Sequence, residues 1–342
     1  MSTYIAPRNG LEIKIARSFE EVLKVEQVSL RDNFFALGGN SLLAMALFSR
    51  LSTMTTRQSF FATMARDPTV EAIAREVAAN IKPVDEGVIV CLQKGDEGKT
   101  PLLFCHAIGG TIMFYHELTY RLGRGRPFYA IQAKGLQDGE KPLASIVEMA
   151  ELYVASLGAD LLSRRPVLGG YSFGCLIAVQ MAKVLEARGY YCSDLFFVAP
   201  PRADHTEYQR KNGDGAEFET KANDLLAAFL EREGVSVSPE VGEMLTRLYK
   251  ANIAAPYGFC APTIKSNITH FLPEEDPVEK VERLCADWQK RTSGRCRYVR
   301  VPGEHTTLIR EPKVHILAGA ITRCVSEIEQ RSHVVQNIIE GV

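Results

Sequence analysis

The feature that most constrains the fold of this chain is a Gly-x-Ser-x-Gly pentapeptide between an apolar run and a helix-forming run, at Gly170–Gly174. In such a strand-to-helix turn the serine has strained backbone angles, and its Oγ is held clear of the sheet near a helix N-terminus. Glycine suits both flanking positions because a side chain at either would crowd the turn. The setting therefore predicts that Ser172 is a nucleophile at the carboxyl end of a buried strand.

Strand-like and helix-like runs alternate through the region that contains this turn. The strand-like runs cover residues 88–92, 102–105, 128–132, 167–171, 195–198, 268–272 and 297–301. Helix-like runs fall between most of them, at residues 112–122, 145–161, 175–188, 277–290 and 313–330. Buried strands that alternate with helices predict a mostly parallel sheet with helices on both faces, and ligands then lie at the carboxyl ends of the strands.

Residues 216–256 interrupt this alternation with a helical segment that is too long for a simple crossover. Its second half places apolar residues on one helical face, namely Val241, Met244, Leu245 and Leu248. We interpret residues 210–260 or so as a helical lid over the pocket. An extra helical layer without a gating role is the alternative interpretation.

Residues 1–81 form a separate small domain of about four helices in this interpretation. Apolar residues recur at helical spacing in four segments, at residues 10–24, 42–51, 57–65 and 69–81. Residues 82–88 carry proline, glycine and charge but few apolar residues, which indicates a short linker. The large domain then covers residues 89–342.

A second motif precedes the helical segment at 42–51: Asp32-Asn33-Phe34-Phe35-Ala36-Leu37-Gly38-Gly39-Asn40-Ser41-Leu42. It resembles the attachment motif of peptidyl carrier proteins from nonribosomal peptide synthetases, although His or Asp is commoner than Asn40 before the serine. The resemblance implies that Ser41 receives 4′-phosphopantetheine from a phosphopantetheinyl transferase and carries an acyl or peptidyl thioester. A helix start suits that role because its N–H groups and dipole favour a phosphate ester. A simple helix N-cap at Ser41 is the alternative, but it needs no such motif before it.

The large domain resembles the thioesterase domains that end nonribosomal peptide and polyketide assembly lines, which are α/β-hydrolases. The resemblance rests on the strand order, the Gly-Tyr-Ser-Phe-Gly turn and the lid segment, and it covers nearly all of residues 88–342. Together the two resemblances imply a chain-terminating didomain, in which Ser172 takes the acyl group from Ser41 and releases it by hydrolysis or cyclisation. Upstream condensation and adenylation domains are then expected as partners, and we expect the chain to be a piece of a larger synthetase.

His305 follows the last strand-like run, and the stretch Gly303-Glu304-His305 matches the family's Gly-Asp/Glu-His pattern. A neutral imidazole there is expected to take the serine proton and later to return it. The resemblance also implies an oxyanion hole made of backbone N–H groups. Phe173, directly after the nucleophile, is expected to give one of them, and Ile108 or Ala107 the other.

Asp276 is the carboxylate that we expect to orient the histidine. Thioesterases of this kind commonly place Asp at the end of the strand after the serine turn, where this chain has Ala199. The wider hydrolase family has a second location, after the strand that precedes the histidine. Asp276 resembles the acid of that location, because a proline and a helix-like run follow it directly. Glu275 and Asp204 remain as alternatives.

Composition excludes several other classes of function. The net charge of −1 gives no electrostatic reason to expect nucleic acid or an anionic membrane as a partner. No apolar run is long enough to cross a bilayer. The eight cysteines show no metal-like spacing, and a reducing cytoplasm is the expected location.

Two other functions compete with the enzyme. A carrier and docking module with a degenerate hydrolase domain is one, and Ala199 is the feature that favours it. A generic esterase is the other, but an esterase has no use for a pantetheinylated serine. Reaction of a serine with a fluorophosphonate would decide for the enzyme.

Overall fold

The computed structural model of the chain describes residues 4–55, 60, 63–64, 66–79, 87–136, 140–207, 223–224, 226–227, 231 and 239–340. For residues 41–42 and 332–340 it describes the backbone alone. Much of the predicted helix at 57–65, most of the predicted linker at 82–88 and most of the predicted lid before residue 239 lie outside the described residues.

The structure describes three helices in the N-terminal domain: α1 (Gly10–Leu23), α2 (Ser41–Leu51) and α3 (Val70–Ala78). α1 and α3 begin after Asn9 and Thr69, whose side-chain oxygens each accept a backbone N–H from the first helical turn. Apolar side chains from the helices and from the loop before α2 form the core of this domain: Ile15, Phe19, Phe34, Leu47, Phe48 and Ile73. The helical carrier-like domain that the sequence predicts is therefore observed.

Seven strands form one sheet in the second domain: β1 (Ile89–Gln93), β2 (Leu102–Cys105), β3 (Phe128–Ile131), β4 (Val167–Tyr171), β5 (Asp194–Val198), β6 (Asn267–Pro273) and β7 (Cys296–Val301). Their order is β1-β3-β2-β4-β5-β6-β7. β1 runs antiparallel to β3, and the remaining neighbours pair in parallel. Each strand-like run of the sequence corresponds to one of these strands, and the predicted mostly parallel sheet is confirmed.

Helices cover both faces of this sheet. The described helices of this domain are α4 (Tyr115–Leu122), α5 (Ile146–Ala155), α6 (Ala159–Ser163), α7 (Gly174–Ala187), α8 (Pro239–Ala254), α9 (Val278–Gln289) and α10 (Val314–Glu340). α5 and α7 pack on one face, whereas α4 and α10 pack on the other, and alternate residues of the central strands point to each side. None of the described helices is both long and apolar enough to cross a membrane.

Two helix predictions need correction. The helix predicted at 145–161 is two helices, because α5 ends at Ala155 and α6 begins after Gly158. Glycine is a weak helix former and favours such a break. The last helix continues to Glu340, ten residues beyond the predicted end at 330.

The turn between β4 and α7 has no room for side chains at its two glycines. A Cβ on Gly170 would lie 2.4 Å from the carbonyl carbon of Gly174, and one on Gly174 would lie 2.5 Å from the carbonyl oxygen of Cys105. The absence of side chains therefore lets the start of α7 pack directly against the end of β2. Ser172 is thereby held at the edge where the parallel strands end.

We expect Gly174→Ala to lower the free energy of unfolding by about 1–3 kcal/mol, because the added methyl group must displace backbone at the end of β2. Gly125→Ala is the matched control, since no atom lies within 4 Å of its added Cβ. Urea unfolding of both variants measures the difference. Equal stability of the two variants would contradict the close packing of the turn.

Candidate active site

Ser172 and His305 meet at the carboxyl edge of the sheet. Ser172 has a φ of 53°, a left-handed value that is uncommon for residues other than glycine. His305 lies in the loop between β7 and α10. The distance from Ser172 Oγ to His305 Nε2 is 3.1 Å, so the hydroxyl can donate a hydrogen bond to the imidazole. This geometry suits transfer of the serine proton to a neutral histidine.

One tyrosine hydroxyl bonds the end of β4 to the histidine loop, and a second joins the ends of β4 and β2. Tyr171 Oη donates a hydrogen bond to the carbonyl oxygen of His305 at 2.7 Å. The N–H of Tyr171 donates to Tyr115 Oη at 3.1 Å, and Tyr115 Oη donates to the carbonyl oxygen of Cys105 at 2.7 Å. Neither role follows from the sequence alone, although Tyr171 is marked by its place in the pentapeptide.

A cavity of about 760 Å³ lies beside His305, between the ends of β5 and β6 and helix α9. Ala199 lines this cavity at the place where the resemblance puts the commoner acid, and it is buried with a φ of 45°. A methyl group cannot orient an imidazole, so Ala199 cannot serve as the orienting acid.

Asp276 lines the same cavity as His305, but its carboxylate binds another group. Asp276 Oδ1 accepts a hydrogen bond from Lys280 Nζ at 2.6 Å. Within the part of the chain that the structure describes, no carboxylate forms a hydrogen bond with His305. The assignment of Asp276 as the acid therefore stays a prediction.

Glu275 and Asp204, the two other candidate acids, also pair with cations. A Glu275 carboxylate oxygen lies 3.3 Å from Lys313 Nζ. An Asp204 carboxylate oxygen lies 3.3 Å from the guanidinium of Arg291. Neither carboxylate is a hydrogen-bond partner of His305 in the described ranges.

The surroundings of His305 favour its neutral form. Desolvation by the surrounding protein lowers the pKa of His305 from its ordinary value of 6.5, and the positive charge of Lys280 lowers it further. The negative charge of Asp276 opposes both effects and raises this pKa. The net direction is downward, which keeps Nε2 free to accept a proton near neutral pH.

The candidate oxyanion donors lie on two segments that pack against each other. Phe173 precedes α7, and Ile108 lies in the loop after β2. Among the described residues, the backbone N–H groups of Phe173, Ile108 and Ala107 donate to no acceptor. Free donors at these positions fit an oxyanion hole, and the choice between Ile108 and Ala107 stays open.

Helix α8, the described part of the predicted lid, covers the loop after β2. Asn252 of α8 is buried, and its Nδ2 donates to the carbonyl oxygen of Ile108 at 2.7 Å. Leu248 and Tyr249 of the same helix would contact a Cβ added at Gly110 and Gly109, respectively. Asn252 is thus a further site residue, and its isolated place in the sequence gave no signal of that role.

His106 and Cys175 lie near the site and belong to residue types that are often catalytic. In this structure both are buried, and neither is suited to a catalytic role. His106 is buried, and its two ring nitrogens bond to the carbonyl oxygen of Ala107 at 2.8 Å and to Tyr153 Oη at 2.9 Å. Burial lowers the pKa of His106 to about 4. Burial also raises the pKa of the Cys175 thiol well above its usual range, so this thiol stays protonated and is a poor nucleophile.

The start of α2 has the features that the attachment motif requires. Asn40 Oδ1 accepts the N–H of Leu43 at 2.9 Å, so Asn40 caps the helix and Ser41 is its first residue. A Cβ on Gly39 would lie 2.3 Å from the ring of Phe34, which shows how closely the loop packs before the helix. Ser41 is therefore not needed as the cap, and its position fits a serine-linked phosphate ester.

The chain matches two known family models. Residues 100–324 match the family model of thioesterase domains, and residues 14–77 match that of the phosphopantetheine attachment site. The chain belongs to the thioesterase domain family. Both matches lie inside the predicted domains at 1–81 and 89–342, whose limits remain predictions.

The similar proteins of known sequence are much longer synthases. The chain is 35% identical over 200 residues to the indigoidine synthase of Dickeya dadantii. This aligned region covers 58% of this chain and 13% of that protein. It is 33% identical over 337 residues to the malpibaldin synthetase of Mortierella alpina. This alignment covers 94% of this chain and 6% of that protein. The thioesterase and its carrier thus span a small part of the length of these relatives.

Solved structures share the fold of the thioesterase. The Vlm2 thioesterase domain bound with a dodecadepsipeptide matches with a TM-score of 0.58 and 25% identity, over 69% of this chain and 97% of that chain. A four-domain nonribosomal peptide synthetase, holo-AB3403, matches over 95% of this chain and 27% of its own with a TM-score of 0.60. Its 24% identity shows likeness of fold alone. The predicted α/β-hydrolase fold and the carrier–thioesterase family are confirmed.

The charges around His305 give a prediction for the pH profile of the thioesterase. Activity should rise with pH as His305 loses its proton, with a midpoint below its ordinary pKa of 6.5. Lys280→Gln removes a charge that lowers this pKa, so the acid limb should move to higher pH. Asp276→Asn removes a charge that raises it, so the limb should move to lower pH.

The measurement is kcat/KM for a free N-acetylcysteamine thioester between about pH 5 and 8, the range in which histidine titrates. Lys290→Gln is the control, since Lys290 lines the same cavity but does not contribute to the pKa shift of His305. An equal displacement of the profile by Lys280→Gln and Lys290→Gln would contradict the specific role of Lys280.

Proposed function

We propose that this carrier–thioesterase pair terminates the chain made by a nonribosomal peptide synthetase. Ser172 takes an acyl or peptidyl group from the thioester on Ser41 and releases it by hydrolysis or cyclisation. The observation that carries the proposal is the 3.1 Å contact between Ser172 Oγ and His305 Nε2 within a thioesterase-family domain. A phosphopantetheine attachment domain on the same chain would present the thioester at high local concentration.

The attachment domain is the proposed source of the thioester. When bound, 4′-phosphopantetheine supplies a terminal thiol that holds the acyl group as a reactive thioester. The chain's own contribution is the serine hydroxyl of Ser41 at the start of α2, after the cap at Asn40. A phosphopantetheinyl transferase is the partner that this chemistry requires.

In the proposed acylation step, Ser172 Oγ attacks the thioester carbonyl while His305 Nε2 takes the hydroxyl proton. The carbonyl oxygen becomes negative in the tetrahedral intermediate, and the N–H groups of Phe173 and of Ile108 or Ala107 donate to it. Collapse of the intermediate breaks the carbon–sulfur bond, and His305 gives its proton to the leaving sulfur. The acyl group remains as an ester on Ser172.

In the proposed release step, water or a nucleophile within the acyl chain attacks the ester on Ser172. His305 takes the proton of this nucleophile and returns one to Ser172 Oγ as the ester breaks. His305 must be neutral at the start of both steps, and its lowered pKa supports this requirement. α8 packs over the oxyanion loop, which supports a lid that limits the access of water.

We keep Asp276 as the proposed acid of the triad. Its place in the cavity beside His305 and its effect on the histidine pKa support this role. Its carboxylate would have to turn from Lys280 towards Nδ1 of His305 to orient the imidazole. The Lys280 contact therefore competes with the proposed triad.

A non-catalytic docking module is the second candidate function. The alanine at position 199 and the contact of Asp276 with Lys280 favour it, because both leave His305 without an orienting carboxylate. Against it stands the hydrogen-bonded Ser172–His305 pair. Loss of the acid alone would in any case leave a slower enzyme rather than none.

Upstream condensation and adenylation domains are the proposed partners of the didomain. The length of the relatives supports this context, since the matched region is 15% or less of the two indigoidine synthases. All eight cysteines are free, which supports the cytoplasm as the proposed location because disulfides are rare there.

Ser172→Ala is expected to lower acyl release by a factor on the order of 10⁶, as loss of the nucleophile does in a comparable triad. The variant should also fail to react with a fluorophosphonate probe, measured as the mass of the intact protein. Wild-type protein, as the control, should gain one phosphonyl group. Adduct formation by Ser172→Ala would show that another residue carries the chemistry, and an unreactive wild type would favour the docking module.

Ser41 is expected to accept one phosphopantetheine arm from coenzyme A in the presence of a phosphopantetheinyl transferase. Ser41→Ala should gain no mass, because it lacks the hydroxyl that forms the phosphate ester. Ser172→Ala is the control and should still gain one arm. An equal mass gain in Ser41→Ala would rule out this attachment site.

A further inference from the structure

A stacked ring pair joins the carrier domain to the thioesterase. Phe35, in the loop before α2, lies on His116 of α4 with ring centroids 4.4 Å apart and ring planes at 11°. Its neighbour Phe34 is fully buried in the carrier core, with its ring centroid 5.1 Å from that of Phe19. Phe35 also packs edge-on against Phe34, with ring centroids 5.4 Å apart, so the two adjacent phenylalanines of the attachment motif connect the carrier core to the other domain.

His116 presents a flat and uncharged ring to Phe35. The residue is 9% exposed, and burial lowers the pKa of its imidazole to about 3, so the ring is neutral at physiological pH. Its Nε2 has no hydrogen-bond partner among the described residues, which is uncommon for a buried polar atom. Among the described residues, the ring face of His116 contacts the aromatic ring of Phe35.

The helix that carries His116 also braces the nucleophile turn. Tyr115, one residue earlier, accepts the N–H of Tyr171 at 3.1 Å and donates to the carbonyl oxygen of Cys105 at 2.7 Å. Tyr171 directly precedes Ser172. A domain that docks on His116 therefore contacts the residue next to Tyr115, whose hydroxyl supports the end of β4.

The same helix is bonded to the segment that follows the catalytic histidine. Glu117 Oε2 accepts the N–H of Glu311 at 2.8 Å, and Arg121 Nε lies 2.5 Å from a Glu311 carboxylate oxygen. Glu311 lies six residues after His305 on the same connection between β7 and α10. α4 is thus a fixed support at the rim of the active site.

We propose that the Phe35–His116 stack is the docking contact through which the carrier delivers the thioester on Ser41 to Ser172. The inference rests on the proposed function, and its partner is the carrier domain of this chain, recognised by the second phenylalanine of its motif. One stacked pair changes an equilibrium constant by about two- to tenfold. The contact is therefore weak enough to form and break in each catalytic cycle.

Two substrates with the same acyl group separate docking from chemistry. A hexanoyl group is presented on the pantetheine arm of Ser41 in the full chain, and separately as its free N-acetylcysteamine thioester. Phe35→Ala is expected to slow release from Ser41 about two- to tenfold and to leave kcat/KM for the free thioester unchanged. Tyr4→Ala removes another carrier aromatic, 48% exposed, and as the matched control should change neither rate.

Variants of His116 test the contact from the other domain. His116→Phe keeps a flat ring and should release the acyl group from Ser41 at the wild-type rate, whereas His116→Ala should match Phe35→Ala. The double variant with both alanines should be no slower than either single variant, because both remove one contact. Additive losses, or an equal loss with the free thioester, would overturn the proposal.

A photocrosslink tests the contact without turnover. Full-length Ser172→Ala protein with p-benzoylphenylalanine in place of Phe35 is expected to crosslink to the peptide that contains residues 115–122. Crosslinks confined to the carrier or to other peptides would refute the docking contact. Failure of the wild type to react with the fluorophosphonate probe would refute the proposed function instead, and the crosslink would still decide the docking contact.

Discussion

The hydrogen bond between Ser172 and His305 depends on a close backbone contact that neither residue makes itself. The absence of a side chain at Gly174 lets the start of α7 touch the carbonyl group of Cys105 at the end of β2. This contact holds the turn in which Ser172 has a left-handed φ of 53°. Such strained angles persist where the surrounding structure over-determines them, and here buried parallel strands and the hydroxyl of Tyr115 do so.

The sheet was predictable from the sequence because a parallel strand covered on both faces must be apolar along its whole length. β2 shows this most clearly, since all four of its residues, Leu102–Cys105, are apolar and buried. Helix boundaries were less predictable. Helix-forming residues continue from α5 towards α6, and only the conformational cost of Gly158 marks the break between them. Local sequence therefore indicated the type of each element better than its ends.

The candidate site was predictable where a local motif marks it and not where contacts join distant segments. The pentapeptide and the stretch before His305 each mark a position in the fold, and the structure brings Ser172 and His305 together. Asn252 and Tyr115 lack such a signal, because their roles arise only when α8 and α4 pack near the strand ends. The partner of Asp276 was likewise unpredictable, since the carboxylate can face either an imidazole or a lysine one helical turn away.

The serine and the histidine are within hydrogen-bond distance while the carrier lies on α4, and both are held by bonds inside the thioesterase domain. The bonds that hold the pair therefore do not involve the carrier. Its contribution is to position the thioester near a site that is already formed, which lowers the entropic cost of bringing the two reactants together. A weak aromatic contact is sufficient for this purpose, because the shared chain already keeps the local concentration of the carrier high. A tighter contact would slow departure of the carrier without improving the geometry of Ser172 and His305.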